Sequence, residues 1–210
     1  MKFIDLSHPL VDGQPGWPGN GNLSITPHKT VAQDRCNVSL VTWTTHHATH
    51  LDAMFHFVPD GRTLDQMPLD WFHGPARVLR IPKQPREEIT VDDFKPFEHH
   101  LMPGAKIVLN TGWFRHFGQS EYYSDFPSLT LEAGRYLVSK KIRLLGMDMP
   151  TPSRQGYEIH HIFLAKDAEV VLVEGLNNLD ALPDEFTFIG FPLNFKGRDG
   201  SPIRAVAACE

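Results

Sequence analysis

Apolar residues in this chain gather in short runs that turn-forming residues interrupt, and each run has the length of a strand. The pattern predicts strands over residues 2–6, 22–30, 36–44, 76–81, 105–110, 143–148, 169–174, 186–191 and 203–209. The runs A-K-I-V-L-N and E-V-V-L-V-E are apolar through their centres, as buried strands require. Helical signals are fewer. Thr90 can cap a short helix, and Thr130 a longer one reaching about residue 141, with Glu132 early and Lys140-Lys141 late as the helix dipole favours. Residues 69–72 and 156–165 suit helical turns, while 11–22 and Pro59-Asp60-Gly61 are loop and turn. The balance predicts a β-dominant α/β or α+β fold.

One segment departs from simple patterning. Residues 45–57 read T-H-H-A-T-H-L-D-A-M-F-H-F, which places His46, Ala48, His50, Asp52, Met54 and His56 on one face of an extended strand. Leu51, Ala53, Phe55 and Phe57 would then face the core. A straight strand would separate His46 from His56 by roughly 33 Å, too far for a shared site. The segment must therefore bend near its middle, bringing His46, His50 and Asp52 together and leaving His56 as a separate contribution. Imidazoles and a carboxylate at this spacing suit a divalent metal, Zn²⁺ first and Mn²⁺ second.

Composition narrows the function. The chain has 210 residues, 41% of them hydrophobic, and a net charge of -5, which predicts a single domain over 1–210 with its own core. No basic run appears, so the expectation is a small-molecule substrate, with neither nucleic acid nor a membrane as partner. No apolar stretch approaches the roughly 20 residues of a membrane span, and the first residues lack a signal-peptide core. Cys36 and Cys209 form no C-x-x-C pair, and Cys36 sits among apolar and β-branched neighbours where a buried, inert thiol is expected. These features together predict a cytoplasmic protein. Neither a G-x-S-x-G elbow nor a nucleotide-binding glycine motif is present.

A complete metal site needs further donors. His99-His100 lies in a polar stretch and is expected at the surface, whereas His160-His161 and the acids at strand ends remain candidates. Glu174 ends an apolar strand, where a half-buried carboxylate needs a cation, although an ordinary acid opening a turn would look the same. Trp17, between Gly16 and Pro18, reads equally as a core plug or as the wall of a pocket for an aromatic substrate.

Five motifs occur in order along nearly the whole chain: D-L-S-H-P-L, H-x-x-T-H-x-D-x-x-x-H-F, L-G-M-D-M-P-T-P-S, V-E-G-L-N-N-L and D-G-S-P-I-R-A-V-A. Together they resemble the cyclase-like metal hydrolases, which include bacterial kynurenine formamidases and isatin hydrolases. The resemblance implies a swivelling β/β/α fold, with His46, His50 and Asp52 as ligands, Glu174 as a bridging ligand, His56 as the proton-transfer residue and Trp17 as a pocket wall. H-H-I-F-L is similar to the family's H-x-I-L-L, which selects His160 as the remaining ligand and leaves His161 as the alternative. His160 lies 14 residues before Glu174 where the family has about a dozen, which implies a small insertion near 166–169. Ala48 stands where the family usually has Gly, and Met54 where it usually has Pro. The implied chemistry is hydrolysis of a small amide, most specifically an aryl formamide, with one or two metal ions. A cyclic amide or lactone hydrolase, a cyclase and a non-catalytic metal-binding scaffold are the alternatives. Symmetric pairs being common, the expected assembly is a homodimer or higher homo-oligomer.

Overall fold

The computed structural model describes residues 1–209. Its strands are β1 (Lys2–Asp5), β2 (Ser24–Lys29), β3 (Val38–Thr42), β4 (His50–Asp52), β5 (His73–Arg80), β6 (Glu88–Ile89), β7 (Lys106–Asn110), β8 (Ser128–Leu129), β9 (Leu144–Met147), β10 (Val171–Glu174), β11 (Glu185–Ile189), β12 (Gly200–Pro202) and β13 (Val206–Cys209). The helices are short: α1 (Val31–Asp34), α2 (Val91–Phe94), α3 (Leu131–Ser139) and α4 (Glu158–Leu164). Thr130 caps α3 by accepting from the Ala133 amide, and Thr90 and Asp93 form a capping box at α2. The β-dominant α/β architecture matches the sequence expectation.

Nine strands form one curled sheet in the order β1-β13-β11-β5-β7-β9-β10-β4-β12. The central four, β5, β7, β9 and β10, are parallel, and both flanks are antiparallel. Because successive side chains point to opposite faces, the apolar runs serve two cores at once. Leu79, Leu109, Leu145 and Leu172 pack toward α3 and α4, while Val78, Val108, Leu144, Val171 and Val173 fill the opposite, concave side. Each such side chain contributes about 1.5–3 kcal/mol on burial, which accounts for why these strands tolerate almost no polar residue.

The same alternation aims the site. Leu51 and Val173 belong to the concave core, so their neighbours His50, Asp52 and Glu174 emerge on the face covered by the helices. Register completes the alignment, since Glu174 pairs with His50 and Leu172 with Asp52.

Several expectations need correction. The single-face alternation over 45–57 fails after Ala53, because β4 is only three residues long and Met54–His56 is a turn of 3-10 helix. Met54 is therefore buried and Phe55 exposed, the reverse of strand parity, and Phe57 joins the wall of a cavity. Residues 203–209 split, the strand beginning only at Val206, with the unanticipated β12 just before it. β3 pairs only with β2, all five of its residues are exposed, and Cys36 beside it is exposed rather than buried. Among the described residues no helix is long and apolar enough to cross a membrane.

Candidate metal centre

A bend that spans both ends of β4 brings the histidine segment round a single point. Ala48 begins it with φ of 53°, in the left-handed region where L-residues other than Asn and Asp are costly. This explains why glycine suits the position. The turn also lets the His50 Nδ1–H donate to the Ala48 carbonyl at 3.0 Å, which directs His50 Nε2 toward Asp52 and Glu174. His50 Nε2 lies 3.4 Å from Asp52 Oδ1 and 3.3 Å from Glu174 Oε2. His46 Nδ1 is 2.8 Å from Asp52 Oδ1.

From the helix side, α4 delivers His160, whose Nε2 is 3.5 Å from Glu174 Oε1 and 3.2 Å from the Thr151 hydroxyl. His160 is buried and its neighbour His161 exposed, so α4 offers only the first of the pair to this point. The helix ends at Leu164 and the chain turns through 165–169, with Glu169 at φ of 48°, before β10 begins. That turn occupies the stretch where the sequence implied extra length. His56, from the 3-10 turn, stacks on His46 with ring centroids 3.8 Å apart. His99 and His100 lie beside each other, their rings tilted by 49°, and belong to none of the donor groups.

One contributor was not anticipated. Asp199 Oδ2 lies 2.6 Å from His46 Nε2 and accepts from the Thr45 hydroxyl at 2.9 Å. Gly200 follows, and a Cβ there would lie 2.6 Å from His46 Cε1, so only glycine leaves room for the ring. The signal was present in the D-G-S-P motif, but nothing in its spacing tied Asp199 to a histidine 153 residues away.

The electrostatics describe two buried carboxylates that require positive charge. Burial works against ionising His46 and His50, yet Asp52, with Asp199 on His46 and Glu174 on His50, raises them to about 9 and about 10. Burial likewise opposes an ionised Asp52, but His46 and His50 hold it well below the usual carboxylate range. His56 is lowered, first by burial and then by the positive charge of its histidine neighbours.

These donors fit a divalent metal. One ligand atom each from His46, His50 and Asp52 lie within 4.8 Å of one another, and so do atoms of Asp52, His160 and Glu174. The two groups share Asp52. Asp52 Oδ2 and Glu174 Oε1 are buried with no hydrogen-bond partner among the described residues, a costly condition that a cation relieves. The 3.3–3.5 Å separations around His50, His160 and Glu174 exceed good hydrogen bonds and match the spacing of about 3.3 Å between tetrahedral ligands at metal–nitrogen distances. A third group, His46, His56 and Asp199, lies at the edge of the same cluster.

Above the donors opens a cavity of about 680 Å³. Trp17 stands in its wall, edge-on to Tyr123 and Phe126 with centroids 5.9 and 6.4 Å away. Phe57 faces the His160 ring at 4.4 Å.

Known proteins share this sequence and this fold. A family model described as a putative cyclase matches residues 4–154. The kynurenine formamidase of Geobacillus thermodenitrificans is 28% identical over 211 residues, covering 97% of this chain and 95% of the relative. A Bacillus cereus kynurenine formamidase is 30% identical over 209 residues, covering 98% of this chain and 96% of the relative. An isatin hydrolase solved with the product analogue thioisatinate superposes with a TM-score of 0.87 at 23% identity, covering 98% of this chain and 91% of that one. A potential metal-dependent hydrolase with cyclase activity gives 0.82 at 24%, covering 98% and 96%. The fold is thus shared with the two solved structures, and the family match over most of the chain makes this protein a member of the cyclase family.

Proposed function

We propose that this chain is a metal-dependent hydrolase of small non-peptide amides, with an aryl formamide as its substrate. The observation that carries the reading is the pair of donor groups sharing Asp52 beneath an aromatic-walled cavity, with His56 stacked against them. His46, His50 and Asp52 would hold one divalent ion, and Asp52, His160 and Glu174 would provide for a second, with Zn²⁺ the first choice and Mn²⁺ the second. When bound, the metal polarises the substrate carbonyl and acidifies water, the chemistry that amide hydrolysis needs.

The protein's own groups do the rest. Trp17, with Tyr123 and Phe126 behind it, offers an aromatic face on which an aryl ring can lie. His56 is placed to take a proton from the attacking water and return it to the departing nitrogen, a transfer suited to an imidazole near neutral pH. Water adds to the formyl carbon, the carbon–nitrogen bond breaks, and formate and an aryl amine leave. The identity to kynurenine formamidases along nearly the whole chain supports this choice over other amides. The exposed β2–β3 hairpin, with Val38, Leu40 and Val41 uncovered, supports a homodimer, which light scattering on the purified protein tests.

The deciding experiment measures metal per chain in wild type and Asp52→Ala, then formanilide hydrolysis on the same samples, with isatin and a lactone as comparison substrates. Stoichiometric metal that is absent from the variant, with formanilide cleaved fastest, supports the reading. Full activity in metal-stripped protein overturns it.

A further inference from the structure

Among the residues lining the cavity, Arg154 is the only one whose charge is permanent and positive. It sits just beyond the M-P-T-P-S loop that carries Thr151 toward His160. Its Nε–H donates to the Phe126 carbonyl and its Nη2 to the Arg86 carbonyl, both at 2.7 Å. Two backbone oxygens therefore hold the guanidinium in place without neutralising it. Nη1 and the remaining Nη2 proton make no hydrogen bond among the described residues, and no carboxylate there forms an ion pair with Arg154. The acids nearby are engaged elsewhere: Glu88 accepts from the Gln155 amide at 3.0 Å, and Asp125 pairs with Arg86 at 2.9 Å. Glu174 is the one acid that lines the cavity, and it belongs to the metal donors.

A guanidinium held by backbone carbonyls and free of an acid partner, on a residue that lines the cavity, suits recognition of a planar anion, because its fork matches the two oxygens of a carboxylate. Phe126, whose carbonyl holds Arg154, also packs its ring edge-on to Trp17. One wall thus joins an aromatic surface to a cation. We propose that Arg154 is the specificity-determining residue of this pocket and selects aryl amides that carry a carboxylate on the ring. This rests on the hydrolase reading above for its substrate, but its binding half can be tested separately.

The experiment compares formanilide with the 2-, 3- and 4-formamidobenzoates on the metal-loaded wild type, Arg154→Gln and Arg154→Lys. Arg154→Gln keeps donors for the two carbonyls but removes the charge. The best formamidobenzoate is expected to exceed formanilide in kcat/KM by about tenfold or more, the worth of one charge-assisted hydrogen bond. In Arg154→Gln that ratio falls to near one, with Arg154→Lys in between. A wild type without anion preference overturns the proposal, and so does a variant in which both substrates decline equally, since that is the mark of a merely structural arginine. Should no formamide be cleaved, the hydrolase reading fails by itself. Calorimetry with benzoate then decides the role of Arg154: binding at least tenfold weaker in Arg154→Gln sustains it, and equal binding ends it. If Arg154→Gln does not fold, the wild-type preference and Arg154→Lys carry the same decision.

Discussion

The carbonyl oxygen of Ala48 lies 2.5 Å from the point that a Cβ on Gly175 would occupy. Both residues are in the left-handed region, at φ of 53° and 63°, and each adjoins a donor segment: Ala48 precedes His50 by two residues, and Gly175 follows Glu174. Gly175→Ala must push two backbone turns apart, and a loss of about 3 kcal/mol together with reduced metal content is expected. Ala48→Gly has the opposite sign. It removes the left-handed penalty, offset in part by the entropy of an added glycine, and should raise stability by about 0.5–1 kcal/mol in urea unfolding.

His56 touches the donor cluster without closing it. His56→Ala is therefore expected to retain metal at the wild-type level while kcat falls by about 10²–10⁴, the usual contribution of a positioned proton-transfer group. Elemental analysis beside the formanilide assay checks both halves, and loss of metal in this variant would make His56 a ligand instead.

Asp199 orients His46 from behind, as carboxylates behind metal-binding histidines commonly do. Asp199→Asn keeps the shape and the link to Thr45 but weakens the hold on the ring. Metal affinity should drop about 10–100-fold in a chelator competition, with the unfolding midpoint of the metal-free protein little changed.

His8 supplies a pH dependence separate from the metal donors. It is buried against Phe117, ring centroids 3.6 Å apart, with Nε2 unpartnered, and burial lowers it from 6.5 to about 4. As pH falls below 6.5 the unfolded chain binds a proton that the folded chain refuses. The stability at stake is thus fully present above 6.5 and is lost progressively down to about 4. Between pH 7 and 5.5 the wild type should lose on the order of 1 kcal/mol more than His8→Phe, which keeps the stack. Urea unfolding of the two proteins at both pH values gives the difference.

Much of this arrangement was legible in the chain. The runs that became β7, β9 and β10 are apolar on both faces, and no surface element can be so composed. The histidine spacing required a bend, and the bend is there. What escaped has physical causes. β12 is Gly-Ser-Pro, a composition with poor strand propensity that pairs only because β4 presents an edge. Cys36 and β3 look like core by residue type, but among the described residues β2 and β3 pair only with each other, outside the nine-stranded sheet. Strand parity misassigned Met54 and Phe55 because the chain changes period from two to three within one residue of Asp52. Asp199 and Arg154 act through tertiary partners far away in sequence, and no local pattern encodes such a meeting.

The three residues of β4 are held between β10 and β12, which arrive more than a hundred residues later in the chain. On the ribosome, the histidine segment emerges early and must wait without its sheet partners. His160 and Glu174 follow, and Asp199 and Gly200 come later still. Any metal captured before then would meet a partial donor set, so the full centre can form only once Asp199 and Gly200 have joined the histidines.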